Sequence, residues 1–203
     1  VTLNCESEGE GARALAIGQR LGIAPRVAVR VNPSFVMTGS GMKMGGGAKQ
    51  FGVDAERVPA LARHFIAEGA EWRGLHIFTG SQTLGAEAII EAQANVLKLA
   101  AELGEAIGVA IPKLNMGGGL GIPYTRSNEA PPLPMDYGAL IKRTVGDLGC
   151  EIEIEPGRLI SGNAGLLVSA VIYVKNGEGR DFLILDAAMN DLARPSMYGA
   201  HHD

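Results

Sequence analysis

The stretch Ile152-Glu153-Ile154-Glu155-Pro156-Gly157-Arg158 decides how the rest of the chain is interpreted. Its alternating isoleucines predict a buried β-strand, and the Pro-Gly pair predicts that the strand ends there. Glu155 and Arg158 would then lie together at the carboxyl end of a strand, which is where parallel α/β barrels place their chemistry. The two charges could hold one ligand with a cationic and an anionic group, or they could form a structural ion pair that closes the loop.

Composition excludes several classes of function. The chain has 203 residues, 46% of them hydrophobic, and a formal net charge of −4, so it predicts a globular core without the basic surface that nucleic acids require. No apolar run reaches the roughly 18 residues of a membrane span. Cys5 and Cys150 form no metal or redox motif, so we expect reduced thiols, a cytoplasmic protein and no metal. Because the chain begins in a strand pattern without Met, we expect a piece of a longer protein.

Strand and helix patterns alternate along most of the chain. Helices are predicted at residues 9–21, 54–69, 86–107 and 136–148, with Asp54 as an N-cap, and strands at residues 1–4, 26–31, 74–78, 112–116 and 151–154. This alternation predicts a parallel sheet with crossover helices. Residues 166–174 and 181–186 instead predict a hairpin joined through Asn176-Gly177-Glu178-Gly179. A domain boundary is therefore expected near residues 160–165.

The loops after the strands contain the candidate binding residues. Gly117-Gly118-Gly119 can expose backbone N–H groups to a phosphate, although the same glycines could serve only for tight packing. Ser81 follows another strand, as a ligand or as a helix cap, and Phe78 either packs in the core or stacks on a flat heteroaromatic ring. The glycine-rich residues 34–52 predict a long loop that is functional or mobile. A phosphate cradle, an aromatic face and the carboxylate of Glu155 together fit a phosphorylated pyridine.

Five ordered motifs resemble the fold-type III pyridoxal-phosphate decarboxylases, and the diaminopimelate decarboxylases most closely. They are Arg30-Val31-Asn32-Pro33, Gly74-Leu75-His76 with Gly80-Ser81-Gln82, the residues from Leu114 to Ile122, Glu155-Pro156-Gly157-Arg158, and the residues from Asp186 to Ala200. The resemblance implies an α/β fold, in which the last five strands of a partial (β/α)8 TIM-type barrel precede the start of a β-sandwich domain. Residues 1–162 would be the C-terminal part of the barrel that binds pyridoxal 5'-phosphate, and residues 163–203 the beginning of a β-rich domain.

The resemblance also implies roles for individual residues. Glu155 would be the catalytic partner of the pyridine nitrogen, and Arg158, Arg194 and Tyr198 would bind the substrate. The residues expected to bind pyridoxal 5'-phosphate are Phe78, Ser81, Gly117, Gly118, Gly119, Glu155, Pro156, Gly157 and Arg158. The Schiff-base lysine and the reactive cysteine of the family are expected outside this chain, so the fragment alone should be inactive.

Some features resemble a related subgroup. Phe78 stands where the family usually has a histidine over the pyridine ring, and the loop of residues 38–47 is longer and richer in glycine than is typical. Both are similar to exosortase-associated decarboxylases and to decarboxylases of carrier-protein-bound aminoacyl groups. The residues from Asn190 to Pro195, in contrast, are similar to the enzymes that act on free diaminopimelate.

The function that the resemblance implies is decarboxylation of an amino acid, with meso-diaminopimelate converted to L-lysine in lysine biosynthesis. The alternatives are a decarboxylase of a carrier-bound or other aminoacyl substrate, a racemase of the same fold, and a non-catalytic cofactor-binding protein. The strands after Leu166 argue against the last of these. A homodimer is implied, with a small amino acid as the partner and neither nucleic acid nor membrane.

Overall fold

The computed structural model describes residues 1–35, 42–43, 47, 50–124, 133–145 and 149–199. Its strands are β1 (Leu3–Cys5), β2 (Arg26–Asn32), β3 (Met42–Lys43), β4 (Val53–Asp54), β5 (Glu71–Ile77), β6 (Gly80–Ser81), β7 (Lys113–Asn115), β8 (Glu151–Glu153), β9 (Val171–Gly177) and β10 (Arg180–Leu185). Its α-helices are α1 (Glu8–Leu21), α2 (Val58–Ala67), α3 (Ala86–Ile107), α4 (Pro134–Val145), α5 (Gly157–Ser161) and α6 (Arg194–Tyr198).

One parallel sheet organises the first three quarters of the chain. β1, β2, β5, β7 and β8 lie side by side in chain order, and β4 pairs with the end of β2. Neighbours that follow chain order, with helices between them, are the arrangement of a barrel wall. The predicted parallel α/β architecture is confirmed, and the helix predicted over residues 86–107 has those bounds. The helix predicted over residues 136–148 begins at Pro134, and residues 146–148 lie outside the described part.

The core lies between the sheet and its helices. Alternate residues of each strand face the same side, so Val29 of β2 and Leu75 of β5, which are in register, both pack against the helical layer. Phe65 of α2 is fully buried in this layer, and it leaves no space beside Gly11 of α1, where a Cβ would overlap the ring. The opposite face of the strands carries polar side chains, and it faces the site described below.

Two details of the predicted elements are wrong. Asp54 does not cap a helix, because its carboxylate accepts a hydrogen bond from Asn32 Nδ2 at 2.9 Å and α2 starts only after a 3-10 turn at Ala55–Arg57. Ser81 is not a helix cap either, since it pairs with Met42 in the short β3–β6 ladder and α3 begins at Ala86. In both cases a tertiary partner replaced the local one.

The end of the chain forms the predicted hairpin. β9 and β10 pair antiparallel through Glu178 and Gly179, although β9 begins at Val171 rather than at Leu166. Every residue of the two strands is exposed, including apolar side chains on both faces such as Ile172 and Tyr173.

Candidate active site

A row of polar side chains crosses the inner face of the sheet. Arg30 of β2 is in register with His76 of β5, His76 with Asn115 of β7, and Asn115 with Glu153 of β8. Residues in register on neighbouring strands point to the same face. Glu155 lies two residues after Glu153, just beyond the carboxyl end of β8, so its side chain lies next to this row.

The carboxylate of Glu155 is held on one oxygen. Asn115 Nδ2 donates a hydrogen bond to Oε1 at 3.0 Å, and His76 Nε2 lies 3.5 Å from the same oxygen. The second distance is longer than an ordinary hydrogen bond and becomes an ion pair only if the imidazole is protonated. The Glu155 side chain is 48% exposed, so it is anchored from below and accessible to a ligand.

His76 is the buried histidine of the site. Its side chain is 9% exposed, and neither ring nitrogen has a hydrogen-bond partner among the described residues. Burial lowers the pKa of His76 from its ordinary 6.5 and Arg30 lowers it further, whereas Glu155 and Glu6 oppose that shift. The imidazole is therefore neutral at neutral pH.

Two aromatic rings enclose the guanidinium of Arg30. Its carbon lies 5.1 Å from the ring centroid of Phe51 and 5.9 Å from that of Phe78, and Nη1 donates to Glu6 Oε1 at 2.8 Å. Phe78 also packs on the glycine loop, because a Cβ at Gly117 would lie 2.7 Å from its Cδ2. Phe78 is thus half-buried at the strand ends, where it lines the site instead of filling the core.

The glycine loop connects two strand ends. Glu155 N donates to Gly117 O at 2.9 Å, so the carboxylate and the glycines share one edge of the sheet. A Cβ at Gly118 would overlap the Glu155 carbonyl oxygen, and a Cβ at Gly119 would overlap that of Gly80, next to Ser81. A side chain therefore has no space at these three positions, and the Gly117 N–H is donated to Asn115 Oδ1 at 2.8 Å. A loop without side chains is what a phosphate cradle requires, and tight packing of the loop requires it as well.

Arg158 and Arg194 meet on one aromatic ring. Their guanidinium carbons lie 5.7 Å and 4.5 Å from the ring centroid of Tyr124, and Arg158 Nη1 donates to Gln82 Oε1 at 2.9 Å. Arg194 Nη1 is buried without a hydrogen-bond partner in the described part of the chain. Glu155 forms no described ion pair with Arg158, so the structural ion pair considered above is not formed. Both guanidinium groups instead lie over the ring of Tyr124, so positive charge is concentrated there.

The remaining predicted residues lie in or beside short helices and loops. Pro156 precedes α5 and Gly157 begins it, with Gly157 N donating to Glu155 O at 2.9 Å. Tyr198 ends α6, and its side chain lies outside the described part. Most of residues 34–52 also lie outside it, but β3 lies beside Gly80 and Ser81.

Sequence reasoning missed five residues of the site. It did not assign a role to Arg30, His76, Gln82, Asn115 or Tyr124, which hold or flank the predicted ones. A polar residue at an inward position of an otherwise apolar strand was the available signal for three of them, Arg30, His76 and Asn115. Gln82 and Tyr124 lie in loops, where no periodicity identifies the direction of a side chain.

The residues fit a ligand that carries a phosphate and a protonated ring nitrogen, because bare glycine backbone and an accessible carboxylate occupy adjoining strand ends. Residues 2–162 match the family described as pyridoxal-dependent decarboxylase, pyridoxal binding domain. The chain belongs to this family.

Relatives within the family are diaminopimelate decarboxylases. That of Aquifex aeolicus is 37% identical over 201 residues, which are 98% of this chain and 47% of that protein. That of Campylobacter jejuni is 34% identical over 205 residues, which are 99% of this chain and 50% of that protein. The crystal structure from Helicobacter pylori, in complex with L-lysine, is 34% identical with a TM-score of 0.85 and covers 100% of this chain and 50% of its own. The chain thus spans about half the length of the curated relatives it matches.

The described residues contain neither a membrane-spanning helix nor a cluster of metal ligands. No helix in the described ranges combines the length and the apolar character needed to cross a bilayer. Nor do those ranges bring three or more His, Cys, Asp or Glu side chains together as metal ligands.

Proposed function

We propose that the protein containing this chain is a pyridoxal-phosphate-dependent carboxy-lyase that converts meso-diaminopimelate to L-lysine, a step of lysine biosynthesis. The observation that carries the proposal is the hydrogen bond from Glu155 N to Gly117 O, which joins the carboxylate and the glycine loop at one edge. The named relatives at 34–37% identity support the choice of substrate.

The proposed cofactor site has two ends. The backbone of Gly117, Gly118 and Gly119 with Ser81 would hold the phosphate, and Phe78 would lie against the ring. Glu155 would keep the ring nitrogen protonated, while Pro156, Gly157 and Arg158 line that side. Pyridoxal phosphate supplies the electron-withdrawing ring that makes loss of CO₂ possible. The protein supplies the position of the carboxylate and the exclusion of side chains from the phosphate end.

The proposed substrate end is cationic. Arg158 and Arg194, assembled on Tyr124, would bind substrate carboxylate, and Tyr198 would join them. Guanidinium groups bind carboxylates in two-pronged geometry. Arg194 Nη1 has no hydrogen-bond partner among the described residues, so this donor could be used by a substrate. Decarboxylation of a carrier-bound aminoacyl group is the second candidate, which the phenylalanine at position 78 favours.

The test is product analysis with the full-length protein and pyridoxal phosphate. Free meso-diaminopimelate should yield CO₂ and L-lysine in equal amounts, whereas a carrier-linked aminoacyl group should give no CO₂. The opposite preference would establish the second candidate. Stereochemical inversion without CO₂ release would instead identify a racemase.

Three further proposals concern the whole protein. Residues 1–162 are the C-terminal part of the pyridoxal-binding barrel and residues 163–203 begin a β-rich domain, a division supported by the end of the family match at residue 162. The protein is a cytoplasmic homodimer, and this fragment alone is inactive because the Schiff-base lysine and the reactive cysteine lie outside it. Light scattering of the full-length protein would test the dimer.

A further inference from the structure

Asn115 is the buried amide between the two ends of the site. It is the last residue of β7 and is 7% exposed. Its Nδ2 donates to Glu155 Oε1 at 3.0 Å, and its Oδ1 accepts a hydrogen bond from Gly117 N at 2.8 Å. In the described part of the chain it is the side chain that donates to the Glu155 carboxylate at ordinary hydrogen-bond length.

The amide has one orientation. Exchange of its oxygen and nitrogen would place Oδ1 against the Glu155 carboxylate and Nδ2 against the Gly117 N–H, so both contacts would become repulsive. His76 cannot replace it, because its Nε2 lies 3.5 Å from Oε1. In a buried position each lost partner leaves a polar group unsatisfied, which is costly.

We propose that Asn115 is a positioning residue that couples the carboxylate of Glu155 to the glycine loop, so that a single side chain aligns both ends of the cofactor site. The inference rests on the proposed function for the identity of the cofactor. Asn115 Nδ2 also lies 3.4 Å from Glu153 Oε2. None of these contacts involves the ligand, so the residue acts through its protein partners, of which Glu155 and Gly117 belong to the proposed site.

A double-mutant cycle in the full-length protein, in which the amide and the carboxylate exchange places, tests the coupling. Asn115→Asp keeps an acceptor for the Gly117 N–H but places a second carboxylate oxygen against Glu155. In the double variant Asn115→Asp with Glu155→Gln, the amide at position 155 can turn and donate to the carboxylate at position 115. We expect Asn115→Asp to weaken pyridoxal phosphate binding about tenfold to a hundredfold, the range for one hydrogen bond to a charged group. The loss arises because repulsion from Glu155 displaces the side chain that also holds the Gly117 N–H. In the Glu155→Gln background the same change should cost clearly less, because only the longer contact with the Glu153 carboxylate, 3.4 Å from Nδ2, is then repulsive.

Asn176→Asp is the matched control. Asn176 Nδ2 also donates to a carboxylate, Asp181 Oδ1 at 3.0 Å, but on the exposed hairpin, so cofactor affinity should stay at the wild-type value. Spectroscopic titration gives the dissociation constants, and thermal unfolding without cofactor repeats the cycle independently of ligand.

The outcomes are distinct. If Asn115→Asp costs the same affinity and the same Tm in both backgrounds, Asn115 does not act through Glu155 and the inference is wrong. If the wild-type protein does not bind pyridoxal phosphate, the proposed function fails, while the thermal cycle still decides whether the two side chains are coupled.

Discussion

Glu155 is fixed at one oxygen and accessible at the other. Asn115 and His76 both approach Oε1, while the side chain remains 48% exposed. A carboxylate that is oriented by protein and accessible to a ligand can hold a proton-bearing ring nitrogen without rearranging. Substitutions of Glu155 and of His76 beneath it should therefore have separable effects on catalysis and on stability.

Glu155→Gln should lower turnover roughly a hundredfold or more, because an amide of the same shape cannot stabilise a protonated ring nitrogen. Cofactor affinity should change far less, since the glycine loop that we propose binds the phosphate is untouched. Steady-state kinetics and a cofactor titration of the full-length protein measure the two effects. Turnover like that of the wild type would remove Glu155 from the catalytic role.

His76 should make the folded state less stable in acid. Burial lowers its pKa from 6.5, so the unfolded chain takes up the proton first as the pH falls. The contribution of His76 to the free energy of unfolding should therefore be constant above about pH 6.5. It should decline as the pH falls below that value, until the pH reaches the lower pKa of the folded state. His76→Asn should flatten this part of the profile from urea unfolding of the full-length protein between about pH 5 and pH 8.

His64→Asn is the control for that profile, because His64 is an exposed residue of α2. It should leave the acid slope as in the wild type. An equal slope in wild type and His76→Asn would show that acid sensitivity comes from other groups.

At the scale of elements, a glycine determines how closely two helices pack beside the sheet. α1 approaches α2 through Gly11, whose missing Cβ leaves space for the buried ring of Phe65. Glycine at this position lowers helix propensity but permits close contact between the helices. Packing therefore takes precedence over propensity here.

Gly11→Ala should destabilise the protein by up to about 3 kcal/mol through overpacking, which exceeds the roughly 1 kcal/mol that alanine adds in a helix. Gly9→Ala in the same helix should be neutral or slightly stabilising, because the nearest atom to its Cβ, Ser7 Oγ, is 3.9 Å away. Chemical denaturation of both variants and of the wild type gives the free energies of unfolding to be compared. A stabilised Gly11→Ala would mean that the two helices separate freely.

The alternation of strands and helices was predictable because each strand buries one apolar face, and that periodicity is visible in the sequence. The proximity of Glu155 to Gly117–Gly119 was predictable because strand ends collect at one edge of a parallel sheet. His76 and Asn115 were missed, because their roles arise from register between strands, which is a tertiary property. Asp54 was misassigned for the same reason, since Asn32 lies far away in sequence.

At the scale of the molecule, Arg194 provides a contact between the barrel and the segment after it. Arg194, beyond the hairpin, packs its guanidinium on Tyr124 of a barrel loop, beside Arg158. The cluster of Arg158, Arg194 and Tyr124 is thus assembled from sequence-distant parts of the chain.

Arg194→Ala should raise KM for a dicarboxylic amino acid about tenfold to a hundredfold, because a charge-assisted hydrogen bond is lost. Cofactor affinity should stay near the wild-type value. Arg180→Ala is the control, since Arg180 also lies over an aromatic ring, that of Phe182 at 5.7 Å, but on the exposed hairpin. An unchanged KM in Arg194→Ala would exclude the residue from substrate binding.

The position of Arg194 has an evolutionary consequence. Neighbouring atoms leave no space for a Cβ at Gly117, Gly118 or Gly119, whereas Arg194 reaches Tyr124 from the segment after the barrel. Mutation and selection can therefore alter what is accepted beside Tyr124 while the vitamin-binding half is inherited intact. New specificities in such a protein would arise first after the barrel.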